Sequence, residues 1–275
     1  MSANSVNTNR QAVFALQSLN QTNSDLGVVQ KRVSTGFRVA DARDDGGAFA
    51  VAQAVRSDVA GVTAVNEQLG GVKGVLQTTF AALTQVSDTM RQARAALTRL
   101  ADGAISSSQR AQYNEQYQQL STQITDFIAD AKYNGRTLLS TVTAAGGGPI
   151  QGIRNEEGAT FTVQAEDGAV LQITNTTFTS AADAQAYLNG GFVTVEDNIA
   201  TALNKFGANL QYIENQSTYN SKKVDALNDG LGALVDADLA KESSRLQALQ
   251  TRQQLGIQTL SLANQGPQVL LSLFR

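Results

Sequence analysis

The sequence predicts a mainly α protein: a long coiled-coil-like helical rod, with paired terminal helices, a three-helix bundle and a small β-hairpin-containing insert. Three observations carry this expectation. The first is the stretch 51–100. Strides alternating between four and three land on Val51, Val55, Asp58, Val62, Val65, Leu69, Val72, Leu76, Thr79, Leu83, Val86, Met90, Ala93, Leu97 and Leu100. Thirteen of these fifteen positions are apolar and no proline interrupts them, which marks a 3.5-residue seam. Such a helix would run roughly 75 Å at the α-helical rise, against about 50 Å across for a compact globule of this chain length. Second, Pro149 and Pro267 are the only prolines, Trp is absent and aromatics make up 6%, a composition that suits long helices better than a sandwich. Third, weaker heptad series flank this stretch on both sides, separated by one β-like segment.

In chain order, residues 1–43 form a first helical segment, with Ala12, Leu19, Leu26, Val33 and Ala40 seven apart. Its companion series, Leu16, Asn23, Gln30 and Phe37, is half polar. Asn and Gln in a seam weaken a helix pair but fix its register. The next segment, 44–139, opens with Asp44 or Asp45 as the N-cap of the long helix, since a carboxylate there accepts orphan N–H bonds. An Asp pair for acid–base or metal chemistry is the competing reading, but no His or third carboxylate accompanies it. After Leu100, Ala101-Asp102-Gly103 marks a turn, and Ser106 with Gln109 resembles a capping box. The following seam is Tyr113, Tyr117, Leu120, Ile124, Phe127 and Ala131, its aromatics on the repeat and so read as packing.

Residues 140–190 change character. The run 146–149 breaks helix, and 159–165 and 169–175 alternate around Asp167-Gly168, a hairpin signal. A hydroxyl-rich stretch comes next, with Thr174, Thr176, Thr177, Thr179 and Ser180. In 191–234 the heptad returns as Phe192, Ile199, Phe206, Ile213, Asn220, Leu227 and Leu234. The last segment, 235–275, carries Leu239, Leu246, Gln253 and Leu260 beside Val235, Glu242, Leu249, Gly256 and Ala263. Pro267 is expected to interrupt it before the apolar tail Val269, Leu270, Leu271, Leu273 and Phe274. Two weak terminal helices with apolar stripes point to assembly with neighbours.

The chain has 275 residues, 21 basic and 24 acidic, with net charge −3, so nothing points to nucleic acid or an anionic membrane. Cysteine and histidine are both absent, removing thiolates, imidazole bases and most zinc sites. Neither an enzyme nor a cofactor is expected. The N-terminal residues lack a charged segment followed by an apolar one, so no cleavable signal peptide is expected, and no run approaches a membrane span.

Four segments, SVNTN (5–9), KRVSTGFRVADARDDGGAFAVA (31–52), AKYNGRTLL (131–139) and the stretch 236–273, resemble bacterial flagellin, with a short middle most like that of alphaproteobacteria. The spacing of Arg32, Ser34, Gly36, Arg38, Asp41, Ala42, Asp44 and Asp45 carries the N-terminal half of the match. The resemblance implies a subunit that self-assembles into the flagellar filament for motility, located outside the cell and exported unfolded through the flagellum's type III apparatus. It implies an inner core built from Ala12, Leu19, Leu26, Val33, Leu239, Leu246, Leu260, Ala263, Val269, Leu270, Leu271, Leu273 and Phe274. The helices of 44–139 and 191–234 would form an outer tube and 140–190 a surface-exposed insert, while the loop Arg38–Gly47 would matter to contacts between subunits. Implied partners are further copies, other flagellins, hook-junction and cap proteins, and an export chaperone. The hydroxyls at 174–180 are candidates for O-glycosylation or simply a polar loop. Gln92, Arg94 and Ala95 replace the Arg and Glu face through which many flagellins engage a host innate receptor, implying weak stimulation. A hook–filament junction protein is the alternative within this class. An enzyme lacks a convergent polar pocket, and a membrane-active protein would want an apolar hairpin that the single stripes do not form.

Overall fold

The structure, a computed structural model, describes residues 9–272. In order these form α1 (Arg10–Thr35), α2 (Gly46–Leu100), α3 (Ser107–Asp130), β1 (Ile150–Ile153), β2 (Thr160–Val163), α4 (Ala181–Tyr187), α5 (Val193–Val235) and α6 (Leu239–Ser272). Two units divide the chain, one of Met1–Ser57 with Ala226–Arg275 and one of Asp58–Asp225.

In the second unit the seam of α2 is buried from Val62 to Leu100 at every expected position. It packs with Tyr117, Leu120 and Ile124 of α3 and with Ile199, Phe206 and Ile213 of α5 in one apolar cluster. The turn after Leu100 lets α3 start on the Ser106–Gln109 capping box, which is present in full. Arg110 donates to the Leu100 carbonyl at 2.7 Å, satisfying one of the orphan groups at the end of α2. The expected seam fails only at its start. Val51 is 51% exposed and Asp58 is exposed. In the first unit Ala48, Phe49 and Ala52 turn inward instead, onto Val39 and Val235. A straight α-helix drifts about 20° per heptad against a 3.5-residue repeat, so one stripe cannot face inward over the whole of a helix this long.

The hairpin differs from expectation in its partner. Residues 160–163 pair antiparallel with 150–153, Ile150 opposite Val163 and Ile153 opposite Thr160, and not with 169–175. Asp167 accepts from the Ala169 N–H at 3.0 Å and caps a short 3₁₀ turn, Gly168–Leu171, which separates the strand from the next segment. Residues 172–179 form an extended run that pairs with side chains of a helix rather than with a strand. Ser121 donates to the Ile173 carbonyl at 3.1 Å and Tyr117 to that of Thr174 at 3.2 Å. The Asn114 amide closes the ladder by donating to the Phe178 carbonyl at 3.0 Å and accepting its N–H at 2.9 Å. Leu171, Ile173 and Phe178 are thereby buried, Phe178 edge-on to Tyr117. Burial pushes the Tyr117 phenol well above its ordinary value.

Downstream, α4 passes through a π-helical turn, Leu188–Phe192, into α5. The final helix runs past Pro267 to Ser272, so this proline does not interrupt it. A proline within a helix forfeits one hydrogen bond and crowds the preceding turn, and the backbone accommodates that cost here.

The Asn114 pairing gives a direct test. Asn114→Ala leaves a buried N–H and a buried carbonyl unpaired, and should cost about 2 kcal/mol in thermal unfolding of the full chain. Asn114→Asp keeps the acceptor but sets a buried carboxylate oxygen against the Phe178 carbonyl, and should lose at least as much.

Candidate functional site: the paired terminal helices

The first unit is built on α1 against α6. Helix α1 starts and stops on its own signals. Asn9 caps α1, its side chain accepting from the Ala12 N–H at 3.1 Å. Gly36 ends it with φ of 76°, a left-handed conformation that glycine adopts without strain. The rungs between the helices run antiparallel. Asn9 Nδ2 donates to the Ala263 carbonyl at 2.7 Å, Gln253 Nε2 to Asn23 Oδ1 at 2.7 Å, and Arg32 to Glu242 at 3.1 Å. Leu26, Val29 and Leu249 form a small core, with Val33 and Leu246 against it. Leu19 crosses at Gly256, where a Cβ would fall 3.2 Å from Leu19 Cδ1, so glycine there permits the close approach.

Of the two seam amides expected to fix register, Asn23 meets Gln253 of α6, while Gln30 is exposed. The Arg32–Glu242 pair is more costly. Its side chains are 26% and 11% exposed, while Arg32 Nε and Glu242 Oε2 are buried without a partner. Half-satisfied buried pairs are poor sources of stability.

The motif loop between α1 and α2 clasps the α5–α6 corner. The Arg38 and Val39 N–H groups both donate to the Val235 carbonyl, at 2.7 and 3.3 Å, and Ala237 donates to that of Gly36 at 2.8 Å. Lys31 Nζ bridges Asp41 and Asp44, each at 2.8 Å. Asp44 also accepts from the Ala40 N–H at 3.0 Å. The Lys31 ammonium, helped at Asp41 by Arg43, holds both carboxyls below the ordinary range, and Asp41 raises Lys31 in return. Of the two candidate caps Asp45 is the one used, accepting from the Ala48 N–H at 3.0 Å, while Asp44 stays in the loop. Ser34 is exposed.

Of the residues singled out by resemblance, Leu26 is buried, and Ala12, Leu19, Val33, Leu246, Leu260 and Ala263 are half-buried along the pair. Leu239 is 49% exposed. Val269, Leu270 and Leu271 have helical backbone in α6, and Leu273 and Phe274 lie outside the described residues. The heptad reading missed Val29, the most buried residue of α1. It lies three residues past Leu26, a spacing that a 3.6-residue stripe would have caught. Opposite this modest seam the pair turns large apolar side chains to solvent, with Phe14 66% and Leu262 70% exposed beside Val13, Leu16, Leu255 and Ile257.

The family model for the bacterial flagellin N-terminal helical region matches residues 6–144, and that for the C-terminal helical region matches 193–274. This chain belongs to the bacterial flagellins. Flagellin FljK of Caulobacter vibrioides is 35% identical over the full length of both chains. The flagellin of Brucella melitensis is 32% identical over 98% of this chain and 99% of its own. Two solved structures share the fold. The crystal structure of Bacillus cereus flagellin aligns with a TM-score of 0.51 at 22% identity, over 56% of this chain and 88% of its own. The structure of a putative flagellar hook-associated protein from Vibrio parahaemolyticus aligns at 0.57 and 12%, over 70% and 100%. The flagellin is thus a structural subunit of the extracellular flagellar filament, polymerising with other copies, and not an enzyme. The helical regions leave 145–192 between them, the stretch that holds the hairpin and the hydroxyl-rich run.

The ion pair across the helices gives a second test. Arg32→Met strands the Glu242 carboxylate and should cost roughly 2–3 kcal/mol per subunit, while Arg32→Met with Glu242→Met should recover most of it. Heat dissociation of filaments made from each variant measures both.

Proposed function

We propose that α1 and α6 are the inner, assembling element of the filament, and that the apolar side chains they leave exposed are covered by the same helices of neighbouring copies. The outward face of this pair carries the reading. Phe14, Val13, Leu255, Ile257 and Leu262 are all more than half exposed, and aqueous exposure of so many large apolar groups on one small element is unfavourable until something covers them. The segments 1–43 and 235–275 are then the core layer, 44–139 and 191–234 the surrounding tube, and 140–190 the outward insert. With Leu26, Val29 and Leu249 the buried apolar residues of the α1–α6 core among the described residues, the free subunit has little to offset the entropy of ordering these helices. They fold on joining the filament, a coupled folding and binding step.

Export proceeds through the flagellum's own apparatus without a cleaved signal peptide, helped by a chaperone that holds the C-terminal helix. In the finished flagellum the filament meets hook-junction proteins at its base and a cap at its tip. The absence of cysteine in the sequence supports passage through an oxidising exterior without cross-linking.

O-glycosylation, where it occurs, falls first on Thr174, whose side chain is exposed. The hydroxyls of Thr177, Thr179 and Ser180 are engaged by Gln118, Asp183 and the start of α4, and Thr176 is half-buried. Intact mass of protein taken from filaments, together with peptide mapping, places any glycan.

Seeded polymerisation with negative-stain microscopy tests the main reading, comparing the full chain with a version ending at Gln265. The expected outcome is long filaments from the full chain and none from the shortened one. Equal filaments from both would overturn the role of the tail, and no growth from either would count against α1 and α6 as the assembling element.

A further inference from the structure

In an α-helix each carbonyl accepts from the N–H four residues on. For Ala263 that residue is Pro267, and α6 continues through it to Ser272. Proline has no N–H to give, so the Ala263 carbonyl is left without its helical donor. The structure supplies one from the other end of the chain, because Asn9 Nδ2 donates to that same carbonyl at 2.7 Å. The other end of the Asn9 carboxamide is also in use, its Oδ1 accepting from the Ala12 N–H at 3.1 Å as the N-cap of α1. One side chain therefore serves two helices at once, closing the start of α1 and filling the vacancy that the proline opens in α6. A carboxamide carries a donor and an acceptor on separate atoms, as this double duty requires; aspartate could cap but not donate, and lysine could donate but not cap.

The position of this contact gives it a consequence for register. At the opposite end of the pair the alignment of α1 on α6 is fixed by backbone, through the Ala237–Gly36 hydrogen bond and the Arg38 and Val39 bonds to Val235. Between Thr22 and Asn9 the helices meet mainly through half-buried residues such as Ala12, Ala15 and Leu19, which specify alignment weakly. The other two rungs, nearer the loop, Asn23 with Gln253 and Arg32 with Glu242, join flexible side chains on both helices. Asn9 instead binds a backbone carbonyl, which has one fixed place on α6. A slip of one helical turn, about 5.4 Å, would carry Asn9 out of reach and leave that acceptor unpaired.

We propose that Asn9 and Pro267 act as a coupled pair that sets the register of the terminal helices in the assembling subunit: the proline frees a single interior carbonyl, and Asn9 is the positioning residue that takes it. This rests on the reading of α1 and α6 as the assembling element. It assigns Pro267 a purpose other than ending the helix, and it makes the two residues dependent on each other across 258 positions of sequence (267 − 9).

A double-variant cycle in seeded growth of the full chain tests the coupling, with the critical concentration as readout. Asn9→Asp keeps the capping oxygen and removes the donor. In the native Pro267 background it should raise the critical concentration about five- to tenfold, the worth of one partly buried hydrogen bond. Pro267→Ala restores the helical donor to Ala263, so in that background Asn9→Asp should change it by less than about twofold. An equal rise in both backgrounds, or no rise in either, would overturn the proposal. Native chain that fails to grow on seeds would count against the assembly reading instead. Should Pro267→Ala by itself prevent growth, solid-state NMR of native filaments decides the matter: a correlation between the Asn9 side-chain amide and the Ala263 carbonyl is expected, and its absence overturns the pairing.

Discussion

A pair of helices can bury only the faces it turns toward itself, and that constraint shapes this flagellin. In α1 and α6 the inward stripe is narrow, with Leu26, Val29 and Leu249 at its centre, while Phe14, Leu255, Ile257 and Leu262 point away. The other unit solves the same problem internally. Its long helix α2 is flanked by α3, α5 and the extended run before α4, and the seam from Val62 to Leu100 is covered throughout. One unit thus buries its long seam within a single chain, and the other leaves large apolar side chains of its helix pair exposed.

The narrow stripe also explains why the contacts between α1 and α6 are so polar. Amide and ionic rungs add little net stability because water would serve the same groups almost as well. Their value lies in geometry. An apolar seam of small residues tolerates sliding, whereas an amide facing an amide or a carbonyl does not. The loop Arg38–Gly47 continues the principle in backbone, with Val235, Ala237 and Gly36 fixing one corner and Lys31 holding Asp41 and Asp44 beneath it.

The insert shows where pattern reading stops. Alternation in 159–165 was legible as a strand, and so it is. Its partner was not, because the nearer candidate, 169–175, alternates just as well. The decision fell to α3, whose Asn114, Tyr117 and Ser121 present polar groups to the extended run and let Leu171, Ile173 and Phe178 into the core. An extended run that completes its hydrogen bonds on helix side chains leaves no periodic mark of its own. The same limit applied at Asn9, whose two roles depend on a proline at the far end of the sequence.

By itself the sequence determined the long helices, the capping box at Ser106, an aspartate cap at 44 or 45, most of the α2 seam, and through its terminal motifs the family. These follow from local chemistry and from repeat periods that survive in one dimension. Only the tertiary structure decided which strand pairs with which, that α2 changes its inward stripe near residue 58, and that Asn23 meets Gln253 and Arg32 meets Glu242. Each of those is a contact between residues far apart along the chain. Periodicity says that a face is apolar, but only packing says what lies against it.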